Sequence, residues 1–142
     1  MKKVVRLLIS VLVVILCTIA FVSCSDSSKV DAYVQLLDEN LPGMSQPGVT
    51  FEGAKKVGTQ VEIDIKLGIS YAAQGVTPQM FAEAASEGAT AEEIVSSAEP
   101  IEKELLTAVV NEGYSIVYNY IDVDGEVAKV VISNSDLKNA LE

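Results

Sequence analysis

The chemistry open to this chain is bounded first by the residue types it lacks. Its 142 residues include no histidine, so neither a Ser-His-Asp nor a Cys-His nucleophile system can be assembled. There are two cysteines, Cys17 and Cys24, too few for a thiolate zinc site. Gly43 with Gly48, and Gly53 with Gly58, lack the spacing and the lysine-serine end of a phosphate loop. Carboxylates and lysines remain. Asp122-Val123-Asp124-Gly125-Glu126 begins like a calcium loop, but the twelfth position, where an EF-hand needs glutamate, is Ser133. Asp-Gly between two apolar runs reads instead as a hairpin turn. Glu92, Glu93, Glu99, Glu102 and Glu104 contain the makings of a carboxylate pair for hydrolysis. At a helix start, though, acidic residues are favourable in their own right. The expectation is a protein without metal, cofactor or enzymatic activity, a carboxylate-dependent hydrolase being the third choice.

The most informative stretch is N-terminal. Lys2, Lys3 and Arg6 precede an apolar run over residues 7–22, which ends in Ala20-Phe21-Val22-Ser23-Cys24. A basic head, an apolar middle and small residues at a cut site make a secretory signal. As a helix the 16-residue run would span roughly 24 Å, short of a bilayer core of roughly 30 Å. Length therefore counts against an uncleaved membrane helix. An ordinary signal peptide is the other reading, and cysteine usage counts against it. Cleavage before Cys24 discards Cys17 and leaves one thiol that has no partner within the chain. A free thiol is a liability in an oxidising compartment, and acylation removes it.

That five-residue ending resembles the lipobox of bacterial lipoproteins, with Phe21 where leucine is commonest. The resemblance covers residues 1–24 alone. It implies a lipid on the thiol of Cys24, palmitate-like chains included, and loss of residues 1–23. Two or more acyl chains hold a protein stably, at about 0.8 kcal/mol per buried CH₂. Ser25, rather than aspartate, follows the cysteine, which in that family favours the outer membrane where a cell has one. The implied address is the cell envelope, on the extracytoplasmic side, with residues 24–29 as a short polar tether and 30–142 as a single domain.

Removing residues 1–23 takes away three of the ten basic residues and none of the twenty acidic ones, so the formal charge moves from −10 to −13. Such a surface repels nucleic acid and anionic headgroups. The expected partners are the membrane, through the lipid, and a protein or other envelope component.

The elements that must position any site follow from periodicity. Residues 28–40 read as a helix, with Val30, Tyr33, Val34, Leu37 and Leu41 on one face and Ser28 as cap. Val49 and Phe51 start a first strand, and Lys55 to Gly58 reads as a turn. From 59 to 67, Val61, Ile63, Ile65 and Leu67 alternate with Gln60, Glu62, Asp64 and Lys66, the pattern of a strand with one wet face. Thr77-Pro78 opens a helix with Met80, Phe81, Ala84 and Ala85 inward. Thr90 caps the next, which Pro100 interrupts near residues 97–99. The last third is a hairpin of residues 114–123 and 126–133 followed by a tail helix capped by Asn134-Ser135. The order α-β-β-α-α-β-β-α predicts an α+β two-layer sandwich, a four-stranded antiparallel sheet of two hairpins with helices on one face. Apolar positions of the two hairpins overlay at an offset of 67, which suggests duplication. The layout is similar to the small PepSY-like and β-lactamase-inhibitor-like modules, a likeness that implies no activity.

With a two-residue loop at Asp124-Gly125, partners across the second hairpin sum to 249. Val117, Ile121, Val130 and Ile132 then pack under the helices, and Tyr114, Tyr118 and Tyr120 stand on the open face beside Lys129. Rigid tyrosines on an open sheet suit a contact surface. The competing arrangement buries Ile116 and Tyr118 as core. The runner-up function is a small-ligand or lipid carrier, with an apolar pocket between sheet and helices near Tyr71, Met80 and Phe81.

Overall fold

The computed structural model describes residues 26–142. Cys24 and the apolar run before it lie outside the described residues. Helix α1 covers Asp26–Asn40, so it begins two residues before Ser28 and takes up most of the stretch expected as a tether. A short 3-10 turn at Leu41–Met44 follows, with Pro42 in its first turn. Strands β1 (Val49–Val57) and β2 (Gln60–Leu67) form the first hairpin. Lys55 and Lys56 belong to β1, and the turn is only Gly58-Thr59, with Gly58 at a φ of +58°. A glycine at the first central position of a two-residue loop matches the strands' twist.

Three helices then cross over: α2 (Pro78–Ser86), α3 (Ala91–Ser97) and α4 (Pro100–Asn111). Thr77 Oγ1 accepts from Met80 N at 3.1 Å and Thr90 Oγ1 from Glu93 N at 3.2 Å, which caps the first two. The interruption expected at Pro100 is real. The residue before a proline avoids the helical region, and Glu99 sits at φ −69°, ψ 161°. β3 (Ser115–Ile121), β4 (Val127–Ile132) and α5 (Asn134–Leu141) complete the chain. Ser133, not Asn134 or Ser135, caps α5 through Asp136 N at 3.1 Å. Asn134 Nδ2 instead donates to the carbonyls of Val110 and Tyr114, both at 2.9 Å, at the end of α4.

The fold class is the expected α+β arrangement with one four-stranded sheet in the order β1-β2-β3-β4. The sheet is mixed, however. The two hairpins are antiparallel, but β2 and β3 run parallel. The helical crossover is the cause, because it returns the chain to the end where β2 started and Ser115 N bonds Thr59 O at 3.0 Å. One face of the sheet supplies the core: Ile63, Tyr118 and Val130 lie side by side across β2, β3 and β4, as do Ile65, Tyr120 and Ala128. Leu37 of α1, Phe81 of α2, Leu106 and Val109 of α4 and Leu137 of α5 pack on it. Burying each such side chain contributes about 1.5–3 kcal/mol.

Candidate interaction surface

The second hairpin turns on Asp122. Its Oδ1 accepts from Asp124 N and Glu126 N and its Oδ2 from Tyr71 N, all at 2.9 Å. Ser70 Oγ bonds Asp124 Oδ2 at 2.5 Å and Val123 N bonds Ile69 O at 3.0 Å, so the loop before α2 and the hairpin loop are tied together. Burial opposes the charge on Asp122, and the N–H groups of Tyr71, Glu126, Asp124 and Gly125 more than reverse it, holding its carboxyl below the usual aspartate range. Asp122 N also donates to Glu126 O at 2.9 Å, and Gly125 takes a φ of +85°. The loop proper is therefore three residues, 123–125, with glycine in the left-handed position.

That extra residue shifts the pairing. Ile116 faces Ile132, Tyr118 faces Val130 and Tyr120 faces Ala128, so partners sum to 248. A one-residue slip moves every side chain to the other face. The expected tyrosine surface is accordingly corrected: Tyr118 is 4% exposed and Tyr120 1%, both in the core, while Tyr114 is half-buried against it. Burial pushes the phenols of Tyr118 and Tyr120 well up. Of the four residues only Lys129 stands outward on the open face.

In the space expected as a ligand pocket, the rings of Tyr71, Phe81 and Tyr120 pack on one another. Phe81 lies 5.0 Å from the Tyr71 ring and 5.4 Å from the Tyr120 ring. Tyr71 donates its hydroxyl to Tyr120 O at 2.6 Å, and burial raises its phenol to about 12. Met80, expected to point inward, is 52% exposed.

What the open face does carry is a polar ladder. Asn119 Nδ2 donates to Glu62 Oε1 and Asp64 Oδ1, both at 2.9 Å. Lys129 Nζ lies 3.5 Å from Glu62 Oε1, and Lys55 Nζ lies 3.4 Å from Asp64 Oδ2. The ladder runs across all four strands and leaves Asn119 Oδ1 buried with no hydrogen bond among the described residues. Sequence reading missed it, although a lone asparagine among the apolar residues of β3 was the available signal. Val127 and Val131, on the same face of β4, are 44% and 52% exposed.

In the acidic grouping, Glu102 and Glu104 make contacts at α4. Glu102 Oε2 accepts from Glu99 N at 2.9 Å at the start of that helix, and burial raises its carboxyl. Glu104 pairs with Lys29 at 2.7 Å. Among the described residues, no group of three or more histidine, cysteine, aspartate or glutamate side chains is placed to hold a metal ion. No helix there is long and apolar enough to cross a membrane.

At the outer rim of β4 lies an open hollow of about 340 Å³. It is lined by Ala89, Thr90 and Glu92 from the α2–α3 corner, by Val130, Val131 and Ile132 of β4, and by Asp136 of α5. Val130 and Ile132 belong to the core face and Val131 to the open one, so the hollow sits beside the strand's free edge.

No protein-family model matches the chain, and no curated protein matches it in sequence. Among solved structures it is similar to the type II secretion system pilotin AspS from Vibrio cholerae, at 16% identity over 78% of this chain and 91% of that one, with a TM-score of 0.44. A likeness at that level carries nothing about function.

Proposed function

We propose that this protein is a lipid-anchored, non-enzymatic interaction module of the bacterial cell envelope, held on the extracytoplasmic side by acyl chains on Cys24. The observation that carries the reading is the N-terminal pattern: a basic head, an apolar run too short for a comfortable span, and a single thiol left at its end. Helix α1 starts at Asp26, two residues beyond that thiol. An acylated Cys24 therefore holds the folded body against the bilayer surface, and the formal charge of −13 left after cleavage keeps it off anionic headgroups. An outer membrane is the favoured location, on the strength of Ser25.

The absence of histidine from the sequence and the pairing of the open-face carboxylates with lysines support a binding role over catalysis. Membrane partition of the wild type against Cys24→Ser tests the anchor: the variant is expected in the soluble fraction, and unchanged membrane association overturns the reading. Screening the soluble variant against hydrolase substrates tests the rest. Turnover there would replace the interaction role with the carboxylate-dependent hydrolase.

A further inference from the structure

The bonding pattern of the second hairpin fixes which backbone groups of β4 look outward. Asp122 N bonds Glu126 O, and bonded pairs alternate along an antiparallel ladder. Ala128, Val130 and Ile132 therefore bond to β3, and Val127, Lys129 and Val131 direct their N–H and C=O groups away from the sheet. Among the described residues no fifth strand lies there. The strand is free of proline and bulge and alternates buried and exposed along its whole length. Natural edges are ordinarily blunted by such devices or by charge, and the one charged residue of β4, Lys129, is drawn across the sheet toward Glu62.

The hollow flanks that same edge, and its two charged lining residues, Glu92 and Asp136, are both acidic. We infer that the outer edge of β4 is where this domain takes its protein partner, and that the partner enters as an extended strand bearing lysine or arginine. The inference rests on the interaction reading above and gives it a surface and a partner chemistry. Main-chain hydrogen bonds to Val127, Lys129 and Val131 provide the attachment. Apolar side chains of the incoming strand lie against Val127 and Val131, which are exposed on the open face. Its basic residues meet Glu92 and Asp136 at the rim. A second copy of this chain is the wrong occupant, since edge-to-edge pairing of the cleaved form would bring two formal charges of −13 together.

The test is amide hydrogen exchange on the full chain in non-ionic detergent, with the acetylated peptide Lys-Thr-Val-Thr-Val-Thr-Val-Lys as probe. Exchange at Val127, Lys129 and Val131 is expected to slow by at least about tenfold, and the same peptide N-methylated along its pairing edge is expected to do nothing. A peptide with glutamate in place of both lysines is expected to bind at least about tenfold more weakly at low salt. Val131→Pro removes an outward N–H without breaking the β3–β4 ladder and should lose the protection, whereas Val131→Thr should keep it.

Equal protection by the N-methylated peptide overturns the edge, and that arm does not depend on any variant folding. Equal binding of the glutamate peptide overturns the basic occupant. Concentration-dependent protection of these amides without peptide overturns it in favour of self-association. If envelope cross-linking captures a protein while these amides stay unprotected, the edge fails and the interaction reading survives. A membrane-bound Cys24→Ser variant would sink the anchor instead.

Discussion

The two outer strands of the sheet meet their surroundings in opposite ways. Along β1 the outward groups of Val49, Phe51 and Ala54 have been given partners. Val49 exchanges two bonds with Gln46, at 2.9 and 2.8 Å. Phe51 N donates to Ser45 Oγ at 3.1 Å and Ala54 N to Asp38 Oδ1 at 3.1 Å. A bulge between Phe51 and Gly53 twists the strand, and α1 and the 3-10 turn pack alongside it. β4, the more regular strand, also has a helix alongside it, α2, but it has no bulge and, among the described residues, no hydrogen-bonded partner on its outer side. The difference marks β1 as built for stability and β4 as built for contact.

The contrast can be tested by perturbing each side. The largest effect is expected from Phe51→Ala, which empties a fully buried site on β1 and should cost about 3–5 kcal/mol in urea unfolding. Gly53→Ala comes next. At φ +125° a Cβ would meet the Asp38 carboxylate that serves Ala54, and a loss of about 1–3 kcal/mol is expected, from strain. If both changes were nearly neutral, β1 would not be the structural edge.

Asp122 shapes the loop into β4 and brings a pH dependence. Its folded carboxyl lies below the usual range, so the stabilisation is present above the unfolded value and drains away as pH falls through the lower folded one. Stability of the wild type should therefore fall below about pH 4. Asp122→Asn should be less stable at neutral pH and show a shallower acid slope in pH-dependent melting. Identical slopes would mean that the loop is held by something else. The smallest effect is expected for Val131→Thr, within about 0.5 kcal/mol of wild type, because that side chain is half exposed and buries little. A large loss there would show that Val131 is already covered within the chain.

The two hairpins also show what could be read from sequence and what could not. Alternation in β2, the caps Thr77 and Thr90 and the break at Pro100 are local signals, and they placed elements correctly because short-range sterics and hydrogen bonds decide them. Register is decided less locally. Asp-Gly is a two-residue turn signal, but Asp122 gains three backbone donors by widening the loop, one of them from Tyr71, 51 positions away. That gain moved the tyrosines from the open face to the core. The ladder of Glu62, Asp64, Asn119 and Lys129 was hidden for the same reason, since its members meet only once register and the parallel β2–β3 pairing are known. Nor do the hairpins superpose as copies. Val49 pairs with Leu67, while Ile116, at the offset of 67, pairs with Ile132 instead of the equivalent Asn134.

An edge strand offered to partners is of use only if the domain is held where those partners are, so the account stands on Cys24. Intact-mass measurement of the protein extracted from native membranes tests this directly. The account requires a chain that begins at Cys24 and carries the added mass of two or more acyl chains. A chain that retains residues 1–23, or begins at Cys24 or beyond it without added mass, would contradict it.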